Sequence, residues 1–401
     1  MYRKRAFLTV TLLALMMASA AAAQESNFVP VPSADGQAPA GWSFTPSMTY
    51  SAGWDDNVLL RGNGDAPPGD FLNILNPRGS LNLNGKRSQL SANYDGAFVL
   101  YHDLNTLNSY DQHASFFGRR LIAPHVAIFA SDTASSMPTT ETSQLVGVPF
   151  VRTGSRINDF HSGFDAAFTK RTSMVASYDF QLVDFDNTQP GFAELQGGHA
   201  HGASMTLTHV MTAHFALTGA YDFEHATVGG FGQVFNVQNA WVGGDYKLTD
   251  RTHVSGAGGL SRLGVSQFAD SRTGPAWRFS LTHQFHRYGV DLLFSRSYVP
   301  SYGFGGTTQN EEATARFRAP LGRRIYSAGS FSWRANDPLT LSDLPLRSLW
   351  IEGNVGYMLT PSVHLEVFFE KTHQAIDRPG GDVDRNRIGF QLTTAKPMRI
   401  Q

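Results

Sequence analysis

The side chains of this 401-residue sequence that could do chemistry fall into two groups: 14 histidines, and acidic and basic residues set at alternate positions of apolar stretches. His199-x-His201 is the histidine spacing with most promise, because alternate strand residues share a face and two imidazoles could bridge a metal there. No third ligand stands at a readable spacing, so the pair reads as a luminal or loop feature with no metal. A Ser-His-Asp triad is a matter of geometry, which abundance does not supply. The sequence holds no Walker loop, no HExxH and no G-x-S-x-G. It also holds no cysteine, which rules out disulfides, thiolate metal sites and Cys nucleophiles. The expectation is a protein without enzymatic activity, cofactor or metal.

The second group comprises Asp95, Asp165, Asp179, Asp222, Glu224, Asp245, Glu352, Glu366 and Glu370 with Arg278, Arg316, Arg318, Arg334 and Arg387. The elements that carry them alternate with period two. From Met174 the even positions read Met174, Ala176, Tyr178, Phe180, Leu182, against Ser173, Ser177, Asp179 and Gln181. Phe215, Leu217, Tyr221 and Phe223 oppose Thr218, Asp222 and Glu224, and Trp277, Phe279, Leu281 oppose Arg278, Ser280, Thr282. Val363, Leu365, Val367, Phe369 likewise oppose His364, Glu366 and Glu370. Helical spacing explains none of these runs; a half-buried strand explains all of them.

Short polar breaks separate the strands, among them Gly85-Lys86-Arg87, Lys170-Arg171-Thr172, Thr249-Asp250-Arg251 and Thr360-Pro361-Ser362. Longer segments rich in Gly, Asn, Asp, Pro and Thr lie between them, at 55–76, 131–156, 184–197, 299–309 and 335–346. Tight turns on one side and long loops on the other are the pattern of a membrane β-barrel, apolar outward and polar inward. Counting gives about eighteen strands, with sixteen also acceptable and Pro77 opening the weakest of them. The fold expected is all-β: a transmembrane antiparallel up-and-down barrel over residues 42–401.

The first residues set the compartment. Arg3, Lys4 and Arg5 precede an uncharged stretch, and Ala21-x-Ala23 offers the small-residue pair of a cleavage site. Residues 1–23 therefore read as a signal peptide and residues 24–41 as a periplasmic linker, too short for the plug of an energy-coupled transporter. An uncleaved anchor is the alternative, but the stretch falls short of the roughly 20 residues that a spanning helix needs. An even strand count places both termini in the periplasm, in the outer membrane of a Gram-negative bacterium. Outer-membrane lipid, lipopolysaccharide and the barrel-assembly machinery are the partners this implies.

Composition agrees. Charged residues make up 16% and aromatics 12%, against roughly 25% charged in an ordinary soluble domain. A formal net charge of −1 gives no reason to expect nucleic acid. A soluble β-sandwich or propeller is the alternative, yet strands of about eleven residues exceed the usual soluble length.

Ser51-Ala52-Gly53-Trp54-Asp55-Asp56-Asn57-Val58 resembles the start of a family of outer-membrane β-barrel porins often encoded beside exopolysaccharide gene clusters. Leu359-Thr360-Pro361-Ser362 and Leu248-Thr249-Asp250-Arg251 resemble the periplasmic turn that the family repeats. The resemblance implies a barrel connected with polysaccharide export or surface assembly, with polysaccharide-export components as partners. It transfers no binding residue.

An eighteen-stranded barrel is wide enough for an aqueous lumen. Passage of small polar solutes is the expected function, lined by Asp165, Asp179, Asp222, Glu224, Asp245, Arg278, Arg316, Arg318, Arg334, Glu352, Glu366 and Arg387. The bland reading of these charges is a solvated strand face. A structural or secretion-associated barrel is the second function. Within residues 131–156, Leu145-Val146-Gly147-Val148-Pro149-Phe150 is apolar and suits a loop tucked into the lumen, with a mobile surface loop as the alternative. The C-terminal Arg387-x-Gly389-x-x-Leu392 has the spacing of a barrel-assembly signal without its terminal aromatic.

Overall fold

A computed structural model describes residues 41–62, 67–186, 195–229, 232–264, 270–285, 288–340, 344–376 and 381–400. Residues 1–40 of the expected leader (1–23) and linker (24–41) lie outside the described residues, and Gly41 belongs to the first strand. The strands are β1 (Gly41–Asp55), β2 (Asp70–Asn84), β3 (Ser88–Tyr101), β4 (Ser109–Ala123), β5 (Val126–Met137), β6 (Gly154–Ala167), β7 (Thr172–Asp186), β8 (Gly198–Val210) and β9 (Phe215–Val228). They continue with β10 (Gln233–Thr249), β11 (Thr252–Leu263), β12 (Arg272–Gln284), β13 (Gly289–Ser301), β14 (Gly306–Pro320), β15 (Ile325–Pro338), β16 (Leu346–Thr360), β17 (Val363–Ile376) and β18 (Val383–Ala395).

Each strand pairs antiparallel with its sequence neighbours, and β1 pairs with β18 from Ser47↔Ala395 to Asp55↔Arg387, closing the sheet. After Pro397 a three-residue segment, β19 (Met398–Ile400), continues that seam along Trp42–Phe44. The trailing residues thus lengthen the closure.

The outer face is apolar and exposed along the whole circuit. Phe71 is 61% exposed, Val242 67%, Leu260 58% and Val367 58%. A continuous belt of this kind is untenable in water, where large apolar patches are rare, and it is what lipid requires of a barrel wall. The chain is a transmembrane antiparallel β-barrel of eighteen strands. Strands of 12–17 residues exceed the roughly 9–11 that cross a bilayer, so the wall projects beyond the apolar belt.

That projection corrects several expected loop limits. The loop expected at 131–156 spans only 138–153, because β5 runs to Met137 and β6 starts at Gly154. Above the lipid level the outward positions are polar, as at Arg156 and Asn158, so alternation fades while the ladder continues. β2 starts at Asp70, seven residues before the expected Pro77. Pro77 lies mid-strand, and the ladder to β3 passes from Leu75↔Phe98 to Arg78↔Asp95 without it, as a residue lacking an amide proton dictates.

The repeated threonine of the short turns has a mechanism. Thr169 Oγ1 accepts from the amides of Arg171 (3.1 Å) and Thr172 (3.0 Å). Thr212 accepts from His214 (3.2 Å) and Phe215 (3.0 Å), Thr249 from Arg251 (3.2 Å) and Thr360 from Ser362 (3.2 Å). Each hydroxyl stands in for the carbonyl that a tight turn lacks.

Candidate functional site

The buried side chains of this barrel gather inside its long-loop end. Residues 138–153 leave β5, cross the lumen and return to β6. The loop braces itself: the Thr140 hydroxyl donates to the Pro149 carbonyl (2.6 Å) and accepts from the Val151 amide (2.8 Å), and the Ser143 hydroxyl donates to the Thr140 carbonyl (2.7 Å). Self-packing of this sort is what a compact Ω-loop needs to hold a shape.

The loop is then fixed to the opposite wall. Gln374 of β17 accepts from the Phe150 amide (2.6 Å) and donates to the Val148 carbonyl (3.1 Å) and to Ser348 Oγ (2.9 Å). Trp350 of β16 donates to the Glu141 carbonyl (3.2 Å), and Arg334 of β15 donates to the Gln144 carbonyl and to Glu312 (3.0 Å). The Glu141 carboxylate meets Arg385 of β18, which also holds Asp55 of β1 at 2.5 Å. Arg152 reaches the other way, donating to the carbonyls of Val58 (3.2 Å) and Leu107 (2.7 Å). Phe150 packs on Trp350 with ring centroids 5.3 Å apart, beside Leu60 and Val383. Of the two readings open to residues 145–150, the structure has the tucked loop.

A second element enters the lumen that the sequence did not signal. β12 pairs with β13 only from Trp277↔Arg296 down to Gln284↔Gly289. Above that point β13 leans inward, with Tyr298 packed on Phe235, Val237 and Leu263. The β13–β14 hairpin tip turns at Gly303 and Gly305, both near φ +80°, a conformation that favours glycine. Its Tyr302 amide donates to the Val146 carbonyl (3.2 Å), and Gly303 bridges Gln196. Tyr302 is 3% exposed, and its hydroxyl has no hydrogen-bond partner among the described residues. Burial raises its phenol above the ordinary value, and the Glu224 and Asp159 carboxylates push it further the same way.

All twelve expected lining residues lie on the inner parity of their strands. Asp165 pairs with Arg119 (2.7 Å), Asp179 with His161, and Asp222 accepts from Trp241 Nε1 (2.7 Å), over whose ring Arg278 sits at 5.0 Å. Arg387 contacts Asp55 (3.2 Å) and Glu370 (3.6 Å). Glu352 accepts from Ser330 (3.2 Å), and Glu366 accepts from Tyr326 (2.5 Å), Asn354 (2.7 Å) and Gln391 (2.7 Å). Arg316 and Arg318 stand exposed near the short-turn end of β14, while Arg334 reaches the loop. Asp179 of β7 faces Glu224 and Asp222 of β9 across the intervening β8, and Arg387 and Glu370 oppose each other on adjacent strands; Asp165 and Asp245 stand apart.

The reasoning from sequence missed Asp55, Glu141, Gln374 and Arg385. Only the Asp55 position carried a signal, in the Trp54-Asp55-Asp56-Asn57 stretch. The expected luminal or loop position of His199 and His201 is corrected: both lie on the outer face of β8, where His201 Nδ1 and Tyr178 Oη are 2.7 Å apart. Their parity follows Met205 and Leu207, which face lipid. Asp70, His102 and Asp103 bring ligand atoms within 4.8 Å of one another, but Asp70 is already engaged by the amides of Asp103 (3.0 Å) and Leu104 (2.8 Å), which set the turn.

No protein-family model matches the sequence. A search of curated proteins also finds no match. Among solved structures the chain is similar to OccAB4 of Acinetobacter baumannii, at 8% identity over 89% of this chain and 98% of that one, with a TM-score of 0.46. It is similar to OccK3 (OpdO) of Pseudomonas aeruginosa at 10% identity, 89% and 96% coverage and a TM-score of 0.45. The FrpB iron transporter of Neisseria meningitidis follows at 7% identity, 88% and 82% coverage and a TM-score of 0.47. Likeness at this level says nothing of what passes through the barrel.

Proposed function

We propose that the protein is a porin-like channel of the Gram-negative outer membrane that passes small polar solutes, with residues 138–153 as its constriction. The observation that carries this reading is the loop itself, which crosses the inside of the barrel and is bonded to β15, β16, β17 and β18. A wall of eighteen strands leaves space for water, and charges of both signs along it tune which ions and solutes pass. The twelve inner-parity residues named above are the proposed lining. The rim of short turns, which also holds Gly41 and Ala395, faces the periplasm, and lipopolysaccharide surrounds the opposite rim. Insertion by the barrel-assembly machinery fits the closing strand.

A second reading draws on the tightness of the same region. Leu346, Phe235, Val237 and Leu263 are 0% exposed inside the long-loop end. A mouth packed to that degree suits a barrel that does not conduct by itself and serves exopolysaccharide export, the link that the Trp54-Asp55-Asp56-Asn57 resemblance implies.

Planar-bilayer recording separates the two. Refolded protein should give discrete conductance steps in salt, and replacing residues 140–152 by a short Gly/Ser linker should enlarge them. Absence of steps from both forms would remove the channel reading.

A further inference from the structure

The carboxylates on the inner face of β6, β7 and β9 outnumber the bases beside them. Asp159 of β6, Asp179 of β7 and Asp222 and Glu224 of β9 share this face, and the nearby bases are His161 beside Asp179 and Arg278, which lies over Trp241 and acts on Asp222. Three of the four have neutral or weakly basic partners: Gln181 donates to Asp159 (2.6 Å), Trp241 to Asp222, and His161 contacts Asp179. Glu224 carries no hydrogen bond or ion pair among the described residues.

Two further features mark this wall as a place for a ligand. In the ladder, Asp179 opposes Gly202, and Gly202 opposes Glu224, so one residue without a side chain separates the two acids. A methyl on Gly202 would lie 3.2 Å from Asp179 Cβ and 3.6 Å from its Oδ2, which shows the Asp179 side chain leaning over the glycine toward Glu224. From above, the buried Tyr302 packs in one cluster with Ile157, Val183, Ala200 and Ala226 of β6, β7, β8 and β9, and its hydroxyl is unpartnered among the described residues. An orphaned buried hydroxyl is costly, and a bound donor would recover part of that cost.

The chemistry of the missing partner follows. Four carboxylates and a phenolic oxygen accept hydrogen bonds and favour positive charge. Among the described residues the group whose ligand atoms converge within 4.8 Å, as one metal ion needs, is Asp70, His102 and Asp103 elsewhere. The acids on β6–β9 are spread over several strands, as an extended organic cation needs.

We propose that the cleft between Asp179 and Glu224, roofed by Tyr302, binds the ammonium or guanidinium groups of a small organic cation on its way through the channel. This rests on the porin-like reading, and it names the solute class that the lumen retains.

The test uses the refolded chain in planar bilayers with putrescine dihydrochloride as the probe and calcium chloride at equal concentration as the comparison. Putrescine should interrupt the current of the parent protein. Glu224→Gln should shorten the interruptions about fivefold or more, the loss expected for one charge-assisted contact. Gly202→Ala, which keeps every charge and fills the gap, should do the same. Equal interruptions in parent and both variants would overturn the site, and equal block by calcium would overturn its assignment to an organic cation. If no form conducts, the channel reading fails separately. Titration calorimetry in detergent then decides the site: putrescine heat present in the parent and reduced in Glu224→Gln upholds it, and no heat in the parent overturns it.

Discussion

Arg385 and Glu141, 244 residues apart in the chain, meet as a buried ion pair that joins the in-turned loop to the seam where the barrel closes. Arg385 also donates to both Asp55 oxygens (3.1 and 3.0 Å from Nε), so one guanidinium ties β18, β1 and the loop together. The loop's position and the closure of the sheet are therefore coupled. Glu141→Gln keeps the shape and removes the charge. Because Asp55 still neutralises Arg385, the loss should be about 1–3 kcal/mol, the cost of a weakened buried contact. The expected readouts are a lower thermal midpoint and noisier, larger conductance steps. Unchanged current would show that the pair does not hold the loop.

Gln374 supplies the second anchor, and the two should act as one latch. Gln374→Met leaves the Phe150 amide and Val148 carbonyl without partners. If either substitution alone frees residues 138–153, the second removes a contact already broken. The double variant should then fall short of the sum of the single effects on conductance, as residues that share a network do. Strict additivity would mean that the anchors are independent.

Much of this architecture was readable from residue order, for a physical reason. Lipid and water impose opposite demands on successive residues of every strand, so parity revealed the wall, the strand number and the inner face of Asp179, Glu224 and Arg387. The apolar run 145–150 suited a tucked loop but left a mobile surface loop equally open, and only its bonds to Gln374 and Trp350 across the lumen decide between them. What escaped was whatever depends on contacts across the lumen. Nothing near Glu141 announces Arg385, and the polar tip at Tyr302 looks like any surface turn. His199 and His201 were misplaced because polar residues resume on the outer face once a strand rises above the lipid.

The threonine turns offer a quieter test. Thr169 Oγ1 accepts from two amides and Thr360 Oγ1 from one. Both sites are exposed to water, which replaces much of a lost bond. Thr360→Val should cost no more than about 1 kcal/mol and Thr169→Val somewhat more, in urea unfolding of the lipid- or detergent-folded protein. A larger loss at Thr360 would contradict the turn account.

The closing seam makes the sharpest demand on a single residue. Gly53 and Gly389 oppose each other directly across β1 and β18. A methyl on Gly53 would lie 2.6 Å from the Ile388 carbonyl oxygen, and one on Gly389 would press on the Ala52 carbonyl and come within 2.8 Å of the Phe368 ring. The two strands approach so closely only because neither residue carries a side chain, and Phe368 covers the gap from β17. Backbone cannot yield as a flexible side chain can, so Gly389→Ala should cost at least the 1–3 kcal/mol or so of overpacking. The loss falls at the pairing that completes the barrel. The expected result is a clear fall in the fraction that runs as the compact, heat-modifiable form on a cold gel. Gly353→Ala is the matched control, because a methyl there meets nothing within 4 Å. Equal folding of the two alanine variants would refute the close approach, and failure of both would point to a general intolerance of alanine in the wall.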